Sequence, residues 1–177
     1  MAAPRVSLLN KCWACVGVGS VMNKKTVAGI ALGRKLHLVD VENLCGFGEL
    51  SESAVAQARE AYLRQVEVGE DDIVIVASGA RNQEALMFGW SDARVIVRKG
   101  IDGADLALCD EILCSGYCDR FSEVVVASGD HIFAEHIAVV TGKGIKVTVY
   151  AQQRSLSGSL RRVGAELVFA EPFALAA

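Results

Sequence analysis

The apolar positions of this chain fall into short runs that alternate, from residue 35 onward, with segments of helical period. Residues 35–41 form an apolar run ending in acid, and 73–77, 94–98, 123–127 and 146–150 are further runs rich in Val and Ile. Uninterrupted runs of this kind predict strands buried on both faces, the habit of parallel sheets. Between them, residues 51–66 place Val55, Ala58, Tyr62 and Val66 on one helical face, and 132–143 do the same with Phe133, Ile137 and Val140. Shorter helices are expected over 82–90 and 105–115, the latter with Asp105 as its N-cap. A last helix is expected at 156–163 and a sixth, edge strand at 166–169. The alternation predicts an α/β fold: a doubly wound, mainly parallel sheet of five or six strands with helices on both faces. Residues 1–30 stand outside the rhythm, which divides the chain into an N-terminal extension, 1–30, and one domain, 31–177.

Composition narrows the function classes. A chain of 177 residues, 52% hydrophobic and 22% charged, has room for one compact core. The uncharged runs between Lys11 and Lys24 and from Thr26 to Gly33 are twelve and eight residues long, short of the roughly twenty that a membrane helix needs. No membrane contact is therefore expected, and the cytoplasm is the expected location. Eighteen basic against twenty-one acidic residues give a formal charge of −3, which excludes a broad basic clamp on nucleic acid. An enzyme that handles nucleic acid through a local basic rim is still allowed. Cys12 and Cys15 are spaced like metal ligands, as are Cys114 and Cys118, but the two pairs lie too far apart for a zinc knuckle. Free buried thiols are the better reading.

In an open α/β sheet, ligands bind at the carboxyl ends of the strands. Asp40 ends the first strand, Asp130 ends the fourth, and Asp105 opens the helix after the third, so all three belong to that edge. Taken singly, Asp105 and Asp130 read as helix starts. Together, three carboxylates at one edge repel one another unless a divalent cation neutralises them, and hard oxygen ligands suit Mg²⁺ or Mn²⁺. Arg81 follows the second strand, Arg98 and Lys99 the third, and Arg154 the fifth. Acids ringed by these cations suit a polyanion such as RNA, with Arg81, Lys99 and Arg154 on its flanking phosphates. Phe47 and Trp90 are the only candidates for stacking against bases. Gly17-Val18-Gly19 lacks the third glycine of a dinucleotide fingerprint, and neither a P-loop nor a Gly-x-Ser-x-Gly elbow occurs.

Three segments then carry a resemblance: His37-Leu38-Val39-Asp40-Val41-Glu42-Asn43-Leu44, Gly103-Ala104-Asp105-Leu106-Ala107-Leu108, and Val126-Ala127-Ser128-Gly129-Asp130. In this order they resemble the NYN domain of the PIN-like nuclease superfamily, over roughly residues 35–170. The resemblance implies a Mg²⁺- or Mn²⁺-dependent ribonuclease with strand order 3-2-1-4-5, which makes the first and fourth strands neighbours. It implies Asp40 and Asp130 as direct or water-mediated metal ligands, Asp105 completing the acidic pocket, and Asn43 orienting Asp40 or the scissile phosphate. It also implies products with 5′-phosphate and 3′-hydroxyl ends. Two positions depart from the family pattern. Ile132 stands where a second aspartate is common, with His131 and Glu135 as neighbouring substitutes, and Glu111 fills a further aspartate slot, with Asp110 one earlier. Asp102 offers a competing register for Asp105. These departures motivate an alternative, a catalytically weakened relative that binds RNA or a protein. A phosphoacceptor built on Asp40 is a third reading, disfavoured because Tyr150-Ala151-Gln152-Gln153 lacks a lysine after the fifth strand. Self-association into a homo-oligomer is left open.

Overall fold

A computed structural model describes residues 33–46, 48–114 and 120–171. Its six strands are β1 (Lys35–Asp40), β2 (Ile73–Ser78), β3 (Arg94–Val97), β4 (Glu123–Ala127), β5 (Lys146–Ala151) and β6 (Glu166–Phe169). They form one all-parallel sheet of order β3-β2-β1-β4-β5-β6. The fifth-to-sixth step simply extends the expected order by one strand. The helices are α1 (Val41–Cys45), α2 (Glu52–Gln65), α3 (Gln83–Gly89), α4 (Gly103–Cys114) and α5 (Ala134–Gly142).

Strand alternation sorts the two cores. Leu36 and Leu38 of β1 join Ile75, Val124, Val126, Val147 and Val149 on the face covered by Leu108 and Ile112 of α4 and Ile137 and Val140 of α5. Val39 joins Val76, Val125 and Tyr150 on the opposite face, under Leu44, Val55, Ala58, Tyr62, Leu86 and Trp90. Burying both faces at once is what makes the strands read as continuous apolar runs. Asp40, two residues beyond Leu38, inherits the α4 side by the same alternation.

Several local expectations are corrected. Residues 156–163 hold only a 3₁₀ turn, Leu160–Arg162, in place of a last helix. The helices expected to begin at 82 and 132 begin instead with 3₁₀ turns, Ala80–Asn82 and His131–Phe133. The first strand stops at Asp40, because that side chain caps α1 and turns the chain. Helix α4 starts at Gly103, so Asp105 lies inside its first turn and is not the N-cap. The Asp102 carbonyl accepts from Leu106 N at 2.9 Å, which places the helix start two residues earlier than expected. The expected extension, residues 1–30, lies outside the described residues, as does Phe47.

Candidate active site at the carboxyl edge of the sheet

The order β2-β1-β4 brings the ends of three strands side by side, and two of them close with the same tripeptide, Ala77-Ser78-Gly79 and Ala127-Ser128-Gly129. The repeat has a structural reason. Gly79 N donates to Glu42 Oε1 at 3.0 Å, and Gly129 N donates to Asn43 Oδ1 at 3.0 Å. Consecutive residues of α1 therefore fasten the flanking strands on either side of β1. Gly129 has no room for a side chain, since a Cβ there would sit 2.5 Å from the Ser155 carbonyl oxygen.

Asp40 is 5% exposed. Its Oδ1 accepts from Asn43 N at 3.2 Å and its Oδ2 from Ser128 Oγ at 3.1 Å. The Ser128 hydroxyl also accepts from Asp130 N at 3.2 Å, linking the first acid to the loop of the third. The Asp105 carboxyl reaches hydrogen-bonding range of Asp40. Burial first, and the Asp105 carboxylate second, hold Asp40 well above the usual carboxylate range. Asp105 is also raised, mainly by burial, with the charges of Asp130 and Asp102 adding to it. Two carboxyls facing each other at this depth disfavour the ionised form of both, most strongly at Asp40, the deeper of the two.

Asp105 Oδ1 is buried and has no hydrogen-bond partner. Helix α4 forces this position, because Asp105 in the first turn lies above β1 and not at the cap, where a backbone N–H would occupy it. Gly103 makes that approach feasible, as a Cβ there would stand 2.5 Å from the Arg98 carbonyl oxygen. Asp130 stands further out, its side chain 36% exposed. Its Oδ1 caps the following 3₁₀ turn through Ile132 N at 2.9 Å and meets His131 Nδ1 at 2.8 Å.

The structure thus brings together Asp40, Asp105, Asp130 and Asn43, and leaves Glu111 out. Glu111 forms a bidentate ion pair with Arg94, at 2.8 and 3.1 Å, at the amino end of β3. Helix α4 runs antiparallel to the strands, so six residues beyond Asp105 is the far end of the sheet. Ile132 packs against the α4/α5 core, so its slot holds no polar group. Trp90 is 1% exposed and belongs to the opposite core, which removes it as a stacking platform. Arg81 and Lys99 are exposed on the loops after β2 and β3. Arg154 Nε donates to Gln152 Oε1 at 2.8 Å, while Gln152 Nε2 caps α1 through the Leu44 carbonyl at 2.8 Å. Ser128, Glu42 and Gln152 were not singled out from the sequence. The repeated Ala-Ser-Gly was the one signal that could have exposed Ser128.

No set of three His, Cys, Asp or Glu side chains stands in a metal-holding arrangement among the described residues. The donor chemistry nevertheless fits a hard cation, since Mg²⁺ is commonly held by one or two carboxylates, water and phosphate rather than a protein cage. The Asp40–Asp105 pair with its orphaned oxygen would offer such a partial set of donors, and among the described residues neither acid pairs with a Lys or Arg.

The NYN domain family model matches residues 39–171, and the chain belongs to that family. NYN domains fall within the PIN-like nuclease superfamily, which gives a hydrolase class for the site. Among solved structures the chain is similar to a protein of unknown function from Vibrio parahaemolyticus, at a TM-score of 0.57 and 19% identity, over 78% of this chain and 93% of that one. At that identity the similarity concerns the fold. No curated protein matches the sequence. Among the described residues no helix is long and apolar enough to cross a membrane.

Proposed function

We propose that the protein is a metal-dependent ribonuclease that hydrolyses RNA phosphodiester bonds at the acidic edge of its sheet. The observation carrying this reading is the buried Asp40–Asp105 pair with a partnerless Asp105 oxygen. Such an arrangement costs folding free energy, and among the described residues no group satisfies the Asp105 oxygen. Asp40 and Asp105 would hold a Mg²⁺ or Mn²⁺ ion, with Asp130 at the mouth, directly or through water. When bound, a divalent cation supplies water of lowered pKa and neutralises charge on the phosphate oxygens.

The chain's own residues have separable roles. Ser128 and the Asn43 backbone hold the Asp40 carboxylate in one orientation. The Asn43 carbonyl oxygen is spent on Gly129, which leaves its amide NH₂ for a phosphate oxygen. Asp130 and His131 lie at the exposed rim, where water and the leaving strand meet the site. Arg81, Lys99 and Arg154 flank the acids and would position the neighbouring phosphates. The expected products carry 5′-phosphate and 3′-hydroxyl ends.

One observation favours a second reading, a weakened relative that binds RNA without cutting it. Ile132 contributes only packing, and Asp130 Oδ1 is already engaged by Ile132 N and His131. A single experiment separates the two. A mixed pool of single-stranded and hairpin RNA is incubated with Mn²⁺, Mg²⁺ or EDTA, using wild type, Asp40→Asn and Asp130→Asn. Cutting that requires metal and is lost in both variants is the expected result. RNA retention without cutting selects the second reading, and cutting that survives both substitutions places the active site elsewhere.

A further inference from the structure

From His136 to Ala165 the chain has no Asp or Glu and five Lys or Arg, against a formal charge of −3 for the whole. Two of the five stand at the amino edge of the sheet. Lys146 pairs there with Glu123 and Glu166, and Lys143 occupies the turn before β5. The other three, Arg154, Arg161 and Arg162, belong to the loop that leaves the carboxyl end of β5, and among the described residues none of them pairs with an acid. The β3 side of the sheet is the reverse: Arg59 is held by Asp92, Arg94 by Glu111 and Arg98 by Asp110. Arg81 and Lys99 stand singly there, on separate loops.

The loop after β5 is fastened to the acidic site itself. Ser157 N donates to the Gly129 carbonyl at 2.9 Å, and the Ser155 carbonyl is the group that leaves Gly129 no room for a Cβ. Gly129 lies between Asp130 and Ser128, whose hydroxyl donates to Asp40. At the start of the loop, Gln152 Nε2 reaches the Leu44 carbonyl of α1, and the Gln152 carbonyl accepts from Ser155 N and Leu156 N at 3.0 and 3.2 Å. Leu156 and Leu160 are buried in the α4/α5 core, the face toward which Asp40 turns. Three guanidinium groups gather over this anchored segment. Arg154 Nε donates to Gln152 Oε1, and its Nη2 stands 3.6 Å from where a Cβ of Gly46 would lie. Arg161 Nη2 reaches the Gln153 carbonyl at 3.4 Å, and Arg162 Nη1 stands 3.4 Å from where a Cβ of Gly158 would lie. Each guanidinium keeps terminal N–H groups without a partner among the described residues.

We propose that this loop binds the phosphate backbone of the RNA strand on one side of the scissile phosphate, with Arg154, Arg161 and Arg162 as its phosphate contacts. The inference rests on the ribonuclease reading and deepens it by saying which side of the sheet carries the strand. Only β4 separates β5 from β1, so the loop begins two strand spacings, roughly 10 Å, from the end of β1. A guanidinium matches a phosphate both in charge and in its paired N–H donors. Hydrogen bonds and two buried leucines already hold the loop, which lowers the ordering cost of binding. No aromatic side chain occurs between Tyr150 and Phe169, so the loop offers no platform on which to stack a base. It grips the strand by its backbone, whatever the base sequence. The neighbouring acids select a strand over an extended anionic surface, because a phosphodiester chain sets one charge on a cation at Asp40 and Asp105 and its next charges on the arginines.

The test measures binding of labelled oligo(U) and oligo(A) of equal length across a salt series, using the full chain carrying Asp40→Asn so that substrate survives. Adding Arg154→Gln, Arg161→Gln and Arg162→Gln together should raise Kd roughly 100-fold near 0.1 M salt, equally for both sequences. The slope of log Kd against log salt should fall by about 2, the value of three phosphate contacts on a single strand. Lys143→Gln, which removes a charge at the amino edge, should leave Kd and slope as they were. Arg161→Lys should keep the slope that Arg161→Gln loses, and this pair decides the matter should the triple variant not fold. A triple variant that binds like Lys143→Gln overturns the proposal. So does weaker binding with an unchanged salt slope, or a loss confined to one of the two sequences. Capture of phosphatidylserine vesicles in place of RNA, lost in the triple variant, overturns it in favour of a membrane surface. Wild type that binds RNA through the loop yet leaves it uncut in Mn²⁺ and Mg²⁺ fails the ribonuclease reading alone, and the loop stands as an RNA-binding surface.

Discussion

Strand β1 carries a buried polar cluster at each end, and the two are built in opposite ways. At its amino half, His37 is fully buried, yet its Nδ1 meets Tyr62 Oη at 2.7 Å and its Nε2 meets Asp72 Oδ2 at 3.2 Å. Asp72 in turn accepts from Lys35 N at 2.6 Å and Gly69 N at 2.7 Å. Every group there has a partner, and the cluster ties β1 to α2 and to the loop entering β2. At the carboxyl end, Asp40 and Asp105 face each other with neither paired to a Lys or Arg among the described residues, and one Asp105 oxygen has no hydrogen-bond partner there. A satisfied network stabilises a fold, whereas an unsatisfied one marks a place where something else completes the structure. The two ends share one strand, and each buries a polar side chain of it, so the difference lies in their partners.

The sharpest way to break this contrast is Asp40→Asn. Cleavage should fall by more than about 100-fold, since even groups that only orient metal ligands are worth roughly 10- to 100-fold. In EDTA the same variant should melt about 2–4 °C above wild type, because a buried like-charge pair is relieved. Gel-based rates and a thermal melt check both. A loss of activity accompanied by lower stability would place Asp40 among the structural residues.

Next in size is the metal itself. Wild type at Mn²⁺ near 100 times its Kd should gain about 2.7 kcal/mol of stability, and an Asp40→Asn/Asp105→Asn double variant almost none. Thermal melts across a Mn²⁺ series decide this, and equal gains in both proteins would remove the acid pair as the cation site. Tyr62→Phe tests the opposite end, and should cost roughly 1–3 kcal/mol by leaving His37 Nδ1 unpaired. Denaturant melts give that loss, while cleavage per folded molecule should stay unchanged.

The smallest effect is a pH slope. Burial holds His37 below its usual range, although Asp72 draws it back upward, with Lys35 and Glu123 nearby and Tyr62 against its ring. The unfolded chain therefore takes up this proton first. The contribution to stability is complete above about pH 6.5 and declines as pH falls below it, by at most about 1.4 kcal/mol per pH unit. Against the opposing effect of burial, the Lys35 and Gly69 amides and His37 hold Asp72 below the usual carboxylate range, so its contribution is complete above about pH 3.8 and is lost only as pH falls below that value. Denaturant melts at several pH values should show the first decline in wild type and not in His37→Phe.

Much of the fold was legible because parallel strands buried on both faces leave continuous apolar runs, as at residues 73–77 and 123–127. Local chemistry was less legible. The five-residue helix Val41–Cys45 hides inside an apolar run, and residues 156–163 have helix-like composition but fold as loop and 3₁₀ turn. Glu111 shows why spacing alone misleads. Six residues along a helix is about 9 Å of rise, enough to carry a side chain from the site to Arg94 at the other end of β3.

The linear chain determined the class of sheet, the placing of two acids at strand ends and of a third at the start of a helix, and the family to which these belong. Those properties follow from hydrophobic period and motif order, which need no knowledge of what lies across the sheet. Tertiary structure alone decided which acids meet. The parity of β1 turns Asp40 toward α4 and not α2. The early start of α4 carries Asp105 past the cap and over β1. The join between β1 and β4 puts Ser128 against Asp40 across 88 residues of chain. Burial, orientation and the absence of a partner are properties of a neighbourhood, and a neighbourhood exists only after the chain has folded.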